Sequence, residues 1–203
     1  MVFPLCGSLV SVFGLLNSKK HWKIYILIIS LFFALFAYCY VPENSGPDIY
    51  RYFQYILSFR DANFYETVIK ATYHDSHLYV FNFLVWISNQ LLDEHLVPFV
   101  SVFSVYFICL YCTCKVGIIC KARWKYVAIY IVFALCTLDW YSLTNNVRNV
   151  FAFALAGFAA FEELYEGKRN ALVYLCYIIP IFIHPIALLF VGLRLALFFI
   201  KNK

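Results

Sequence analysis

The sequence predicts an all-α protein, a polytopic integral membrane bundle with about six or seven hydrophobic segments. Of its 203 residues, 64% are hydrophobic and only 13% are charged. Soluble domains carry roughly a quarter charged residues, so this chain has too little polar surface to cover a globule of its own core. The apolar residues also fall in several long runs. We therefore expect one transmembrane domain over residues 1–203.

Apolar runs define the predicted helices, and they cover 2–16, 24–41, 78–92, 96–114, 126–138, 147–161 and 171–200. The clearest is 24–41, which has 18 residues and no charge. The run 2–16 lacks a basic region ahead of it and precedes a positive cluster, so a short first span or a surface-lying helix is expected rather than a signal peptide. A helix over 78–92 would measure only about 22 Å, short of the hydrocarbon core, which favours a re-entrant or interfacial segment.

The distribution of Lys and Arg predicts the topology. Residues 17–23 hold three basic residues and no acid, and residues 115–125 hold four, so both connections are predicted to be cytoplasmic, like the C-terminal Lys201 and Lys203. Residues 42–77 hold three basic residues against five acids, which predicts an external polar connection. Alternation of the spans then makes 139–148 external as well. Polar residues distant in sequence are thereby expected to meet at the outer face.

Charge and cysteine content exclude several classes of protein. The net charge of +5 is dispersed along the chain, so no nucleic-acid-binding surface is predicted. Four of the eight cysteines lie in one apolar stretch, Cys109 to Cys120, and no second cluster with zinc-ligand spacing exists. We interpret the thiols as small apolar side chains. Neither a metal site nor a cofactor is predicted.

Arg148 begins an otherwise apolar helix and is the first candidate catalytic residue. An interfacial arginine that snorkels to lipid headgroups is the alternative, and Arg194 is interpreted in that way near the cytoplasmic end. Three features favour function at Arg148: its predicted external position, its amide neighbours and a stripe of small residues on its helix. The amides are Asn145, Asn146 and Asn149, and the stripe is Ala152, Ala156 and Ala160. A guanidinium fixed in a packed bundle suits a phosphate, because its fork matches two oxygens at once.

His184 is the second candidate catalytic residue, because Pro180 and Pro185 bracket it and predict a break in the helix. Pro185 suits the first position of a new helix, with His184 directly before it. A broken helix at membrane depth exposes N–H groups that bind anions in many transporters. The alternative is a kinked helix whose histidine bonds a freed carbonyl.

Further candidates for substrate binding lie in the predicted external connections. On a helix, Asp48, Arg51 and Tyr52 share one face, in a segment rich in tyrosine. Tyrosine is common at headgroup level, so the charged pair is the more informative part. Asp139 and Asn145 precede Arg148 in the later connection and complete the set.

Three motifs occur in a fixed order: "GPDIYRY" at 46–52, "NNVRNVFAFALAGFAAF" at 145–161 and "FIHPIALL" at 182–189. In this order the chain resembles the EpsG-like branch of the Wzy polysaccharide polymerases, from about residue 20 to 195. It differs in having Asn149 where family members usually have Gln after the arginine. It is also much shorter than they are, as a truncated or diverged member would be.

The resemblance implies a lipid-linked glycosyltransferase of the bacterial inner membrane with its active face outward. It would join oligosaccharide repeat units carried on polyprenyl diphosphate, beside export or chain-length proteins as candidate partners. Arg148 would hold the diphosphate, and His184 would act as a base or as a second diphosphate contact. A transporter or flippase component for an anionic lipid, or a non-catalytic remnant, remains an alternative. Internal pseudo-symmetry would favour a transporter, and no convincing repeat is present.

Overall fold

The computed structural model describes residues 2–17, 19–42, 48–72 and 77–201, and in these ranges it contains helices and no strand. The predicted all-α class is confirmed. The helices are α1 (Val2–Asn17), α2 (Trp22–Cys39), α3 (Asp48–Ser58), α4 (Tyr79–Gln90), α5 (Leu96–Ile119), α6 (Trp124–Thr137), α7 (Trp140–Asn145), α8 (Val147–Leu164), α9 (Ala171–Ile178) and α10 (Leu188–Lys201). Shorter helical segments are Lys19–His21, a π-helix at Tyr65–Lys70, Ile179–Phe182 and Pro185–Ala187. Gly46, Pro47 and Lys203 lie outside the described residues.

Helices α2 and α5 pack antiparallel at the centre of the bundle. The ring of Trp22 lies 5.7 Å from that of Tyr111, and the ring of Phe33 stacks on Tyr106 at 4.2 Å. Residue numbers increase along α2 in the direction in which they decrease along α5, so the two helices are antiparallel. Aromatic pairs at such spacings add stability beyond their buried area.

Helix α8 runs parallel to α5, and this orientation defines two ends of the bundle. At one end the Ser101 hydroxyl donates to the Val147 carbonyl at 2.9 Å. At the other end Lys115 pairs with Glu166 at 3.0 Å. We call the first the Arg148 end and the second the basic end.

The two connections predicted to be cytoplasmic meet at the basic end. The Trp124 indole, which begins α6, donates to the Leu15 carbonyl near the end of α1. Trp22 at the start of α2 packs in the same cluster as Val127 of α6. Long-range packing thus places the two Lys-rich connections at the same end of the bundle, as the charge pattern predicts. Which side of a membrane they face stays a prediction.

Two helical segments, Lys19–Cys39 and Leu96–Ile119, are long and apolar enough to cross a membrane by length and composition. Shorter apolar helices are Trp124–Thr137, Ala171–Phe182 and Pro185–Leu197. Their outer faces carry large exposed apolar side chains, including Phe133 and Leu193. Such a surface suits a lipid environment.

The described part of the connection predicted to be external, residues 48–72, contains α3 and the π-helix. Helix α3, the π-helix and α4 pack together as a cap at the Arg148 end, with Ile49, Phe53, Ile56 and Val85 in one buried cluster. Helix α4 is about 18 Å long at 1.5 Å per residue, and both of its ends contact this end of the bundle. Near its start Phe81 packs with Val147, and the Asp93 carboxylate just beyond it accepts from the Tyr38 hydroxyl at 2.8 Å.

Amide side chains hold the cap in place. The Asn82 amide nitrogen donates to the Ala71 carbonyl at 3.0 Å, and its oxygen accepts from the Tyr55 hydroxyl at 3.0 Å. The Asn89 amide donates to the Ile56 carbonyl at 3.1 Å. Because both amides are buried, these bonds satisfy polar groups that would otherwise destabilise the helix.

The predicted break at the paired prolines is confirmed. Helix α9 ends at Ile178, a tight turn follows, and His184 adopts an extended backbone with φ −153° and ψ 128°. Pro185 then takes the first position of the next helical segment, as its fixed φ favours. The single apolar run 171–200 is therefore two helices joined at His184.

Candidate functional site

Arg148 lies in the first turn of α8, against two aromatic rings of the cap. Its guanidinium carbon is 5.3 Å from the ring centre of Tyr52 and 5.4 Å from that of Phe81. Its Nε also faces the Tyr52 hydroxyl oxygen at 3.5 Å. A cation over aromatic faces is attracted by their quadrupoles, and the attraction grows when water is excluded.

The two rings form a rigid wall because the core holds them. Tyr52 and Phe81 are 4% and 1% exposed, and their centres lie 6.0 Å apart in an edge-on arrangement. Val147, the residue before Arg148, is buried in the same cluster. The start of α8 is therefore fixed by the same packing that fixes the rings, which preorganises the guanidinium.

His184 reaches the same region because α8 presents a small residue. Ile183 and Ala187, on either side of His184, are fully buried against Ala152. Ala152 lies one helical turn after Arg148, on the same face of α8. The predicted small-residue stripe is confirmed at Ala152 and Ala156, which are buried. At its third position the fully buried residue is Ala159, and the predicted Ala160 is only partly buried.

Hydrogen bonding sets the tautomer of His184. Its Nδ1 accepts from the backbone N–H of Ile186 at 3.3 Å, so a neutral ring carries its proton on Nε2. Partial burial lowers the pKa of His184, and the positive charge of Arg148 lowers it further. His184 lies outside both candidate spans. At neutral pH the ring is therefore an uncharged Nε2–H donor.

Together these groups can bind an anion that carries several oxygens. The Arg148 guanidinium supplies charge in a planar fork, and the neutral His184 ring supplies one further donor. Fixed donors stabilise charge that develops in a reaction more effectively than mobile water does. The arrangement thus suits a phosphate or diphosphate that gains negative charge as it leaves.

Replacing Arg148 by glutamine is expected to raise the pKa of His184 towards its ordinary value of 6.5, because one of the two causes of its lowering disappears. Histidine NMR in detergent micelles measures the midpoint, and His184→Gln assigns the resonance. Arg60→Gln removes an exposed arginine elsewhere and should leave the midpoint unchanged. An unchanged midpoint in Arg148→Gln would mean that the two side chains are far apart.

The remaining predicted substrate residues lie around this site in different settings. Asp48 and Arg51 form an ion pair of 3.4 Å on the exposed side of α3, while Tyr52 faces inward. Asn145 lies three residues before Arg148, and its side-chain oxygen is buried with no hydrogen-bond partner within the described residues. The structure thus brings Tyr52 against Arg148, with His184 in the same region, and leaves Asp48 and Arg51 exposed to solvent.

Asp139 has a clear structural role as the N-cap of α7. Its carboxylate accepts from the backbone N–H groups of Tyr141 and Ser142, at 3.2 and 3.3 Å, and from the Ser142 hydroxyl at 2.6 Å. The Ser142 hydroxyl lowers the pKa of Asp139 most. Burial opposes this effect, and the two backbone hydrogen bonds add to the lowering. Substrate binding by Asp139 stays a prediction.

Phe81 and Glu163 are the important residues that sequence reasoning missed. Phe81 lies in the run predicted to be re-entrant, and the available signal was that such a helix must face a packed neighbour. Arg194, interpreted above as snorkelling, also has a partner inside the bundle, because its guanidinium donates to both carboxylate oxygens of the buried Glu163. A carboxylate in the last turn of an apolar helix was the signal for that pair.

No group of three or more His, Cys, Asp or Glu side chains is placed to hold a metal ion within the part of the chain that the structure describes. Fold and site together define a helical protein with a cationic, aromatic-walled site at one end of its bundle. No family model, no curated protein and no solved structure matches this chain.

Proposed function

We propose that this protein polymerises oligosaccharide repeat units carried on polyprenyl diphosphate, as a multi-pass enzyme of the bacterial inner membrane. The observation that carries the proposal is the guanidinium of Arg148, which is held over Tyr52 and Phe81 one helical turn before Ala152, the residue that packs against Ile183 beside His184. The order of motifs that resembles the EpsG-like polymerases supports the same substrate class.

In the proposed reaction, a hydroxyl oxygen of the acceptor sugar attacks the anomeric carbon of the donor. The bond between that carbon and the diphosphate oxygen breaks, and polyprenyl diphosphate leaves with the electron pair. Arg148 neutralises the departing diphosphate through its fork. His184 donates from Nε2 to a diphosphate oxygen, since its Nδ1 is occupied by the Ile186 N–H. The hydroxyl proton passes to water.

The proposed orientation places the Arg148 end outside the cell. It follows from the Lys and Arg content of the basic end, which contains residues 17–23 and 115–125. The grouping of these segments at one end and the two membrane-length helices support it. The lipid-linked sugar would then reach the site from the outer leaflet, with its diphosphate at headgroup level.

Labelling with a membrane-impermeant thiol reagent tests this orientation in intact cells. A cysteine introduced at the exposed Asp61 is expected to react, while the native exposed Cys120 at the basic end is expected to be spared. Each variant keeps only the cysteine under test. Using Cys120 avoids a change at the adjacent Lys121, whose φ of 52° is strained for most residues. The reverse labelling pattern would contradict the orientation.

Deletion of the gene in its own cells tests the function. A polymerase defect leaves single repeat units on polyprenyl diphosphate at the outer face, and restoring the gene brings back a ladder of longer chains. Loss of a flippase would instead leave the units on the cytoplasmic leaflet, out of reach of an impermeant sugar-oxidising reagent. Accumulation on that inner leaflet would contradict the polymerase proposal.

A further inference from the structure

A groove opens between α9 and α10 at the basic end, away from the Arg148 site. Its volume is about 370 Å³, and it is lined by Tyr174, Tyr177, Ile178, Val191, Arg194 and Leu195. Apart from Arg194 and the tyrosine hydroxyls, the lining is apolar. The groove therefore combines a hydrocarbon-like floor with a guanidinium at its edge.

The guanidinium belongs to a cluster with excess positive charge. Arg194 donates to both oxygens of Glu163, and the Nε of Arg169 lies 3.8 Å from one of those oxygens. The Tyr177 hydroxyl donates to the other oxygen at 3.3 Å. Two arginines thus share one carboxylate, and Arg169 is 72% exposed in its side chain.

Neighbouring charges do not cancel this excess. Lys115 pairs with Glu166 at 3.0 Å, and Lys168 pairs with Glu162. Within the described ion pairs of this end, these two bases balance the two acids, and Arg169 and Arg194 together exceed Glu163 by one positive charge. Arg194 lies on α10 and lines the groove, and Arg169 lies in the loop between α8 and α9, where it reaches the carboxylate that Arg194 binds.

We propose that this groove binds one anionic phospholipid, with its phosphate at Arg169 and Arg194 and an acyl chain along the apolar lining. Basic pockets between membrane helices commonly bind anionic headgroups at the cytoplasmic face. Charge complementarity selects this occupant, because an apolar helix of a partner would leave the extra arginine charge unmatched. The inference rests on the proposed membrane location and not on the polymerase chemistry.

The test measures lipid binding to the purified full chain in detergent by native mass spectrometry. Dioleoyl-phosphatidylglycerol is expected to bind at least about tenfold more tightly than dioleoyl-phosphatidylcholine, as a charge-assisted contact of roughly 1.4 kcal/mol or more would require. Arg169→Gln is expected to remove most of this preference, because it takes away the exposed cation without touching the pair between Glu163 and Arg194.

Two tryptophan variants on α10 test the groove itself. Leu195 lines the groove and is 54% exposed, so Leu195→Trp fills it without disturbing the core and should weaken phosphatidylglycerol binding about tenfold or more. Leu193 is 63% exposed and does not line this groove. Leu193→Trp is therefore the matched control and should bind phosphatidylglycerol as the unchanged protein does.

Several results would overturn the proposal. Equal binding of the two lipids would show that no headgroup is recognised, and equal loss in both tryptophan variants would show that binding is not in the groove. A dimer that Leu195→Trp dissociates, without lipid preference, would assign the groove to a second copy of the chain. Loss of polymer formation is a separate readout, so a failed lipid site and a failed polymerase function are distinguishable.

Discussion

Replacing Arg148 by lysine is expected to reduce polymer formation by about 10²–10³-fold, although the positive charge is kept. The planar guanidinium lies over Tyr52 and Phe81. In the proposed reaction its fork contacts two oxygens of a diphosphate at once. The ammonium of lysine is compact and strongly hydrated, so it loses both the stacking and the paired contact. Polymer length on a gel, from cells lacking the native gene and carrying the variant, measures the effect.

His184→Ala should cause a comparable loss, because it removes the neutral Nε2–H donor that is proposed to stabilise the same leaving group. The amount of protein in the membrane should be unchanged in both variants. Arg60→Lys is the matched control, since Arg60 is an exposed arginine of the cap that pairs with Glu94 at 3.7 Å. Chains of normal length from Arg148→Lys would reduce Arg148 to an interfacial arginine and remove the central group of the proposed site.

Local chemistry explains how much of the fold was predictable. The apolar run 24–41 corresponds to α2 (Trp22–Cys39), and the run 147–161 corresponds to α8 (Val147–Leu164). A helix of this kind is set by the run of apolar side chains itself. The break at His184 was predictable for a similar reason, because a proline in the interior of a helix lacks the N–H donor and clashes with the preceding turn.

Long-range packing explains what could not be predicted at the site. Arg148 and His184 were identified from sequence, but nothing local shows that Phe81 would form the second wall beside Tyr52. Which of Arg51 and Tyr52 faces the site also depends on how α3 docks on α4, since both residues lie on the same side of an isolated helix. Docking buries Tyr52 and leaves Arg51 exposed.

The pair formed by Glu163 and Arg194 shows the same limit at the basic end. These residues are 31 positions apart, and each alone looks like a charge that reaches the membrane surface. Only the return of α10 alongside α8 brings them together. The carboxylate is 3% exposed and the guanidinium 24%, so the pair is largely removed from solvent.

Breaking this pair from one side is expected to be the most destabilising single change at the basic end. Arg194→Leu leaves the Glu163 carboxylate buried, and among the described residues the Tyr177 hydroxyl and the exposed Arg169 remain as its partners. Removing one partner of a buried ion pair typically costs about 3–5 kcal/mol. We expect the lower end of that range, about 3 kcal/mol, because Arg169 keeps a partial interaction. Unfolding against the mole fraction of dodecyl sulfate measures the free energy.

A second substitution should restore most of the loss. In Glu163→Gln with Arg194→Leu, neither position carries a charge, and the glutamine carbonyl still accepts from the Tyr177 hydroxyl. The double variant is therefore expected within about 1 kcal/mol of the unchanged protein. Arg60→Leu breaks an exposed pair and should cost under about 1 kcal/mol. If the double variant unfolds as readily as Arg194→Leu alone, the loss comes from packing of the arginine stem rather than from an unpaired carboxylate. The ionic link between α8 and α10 would then be incidental to stability.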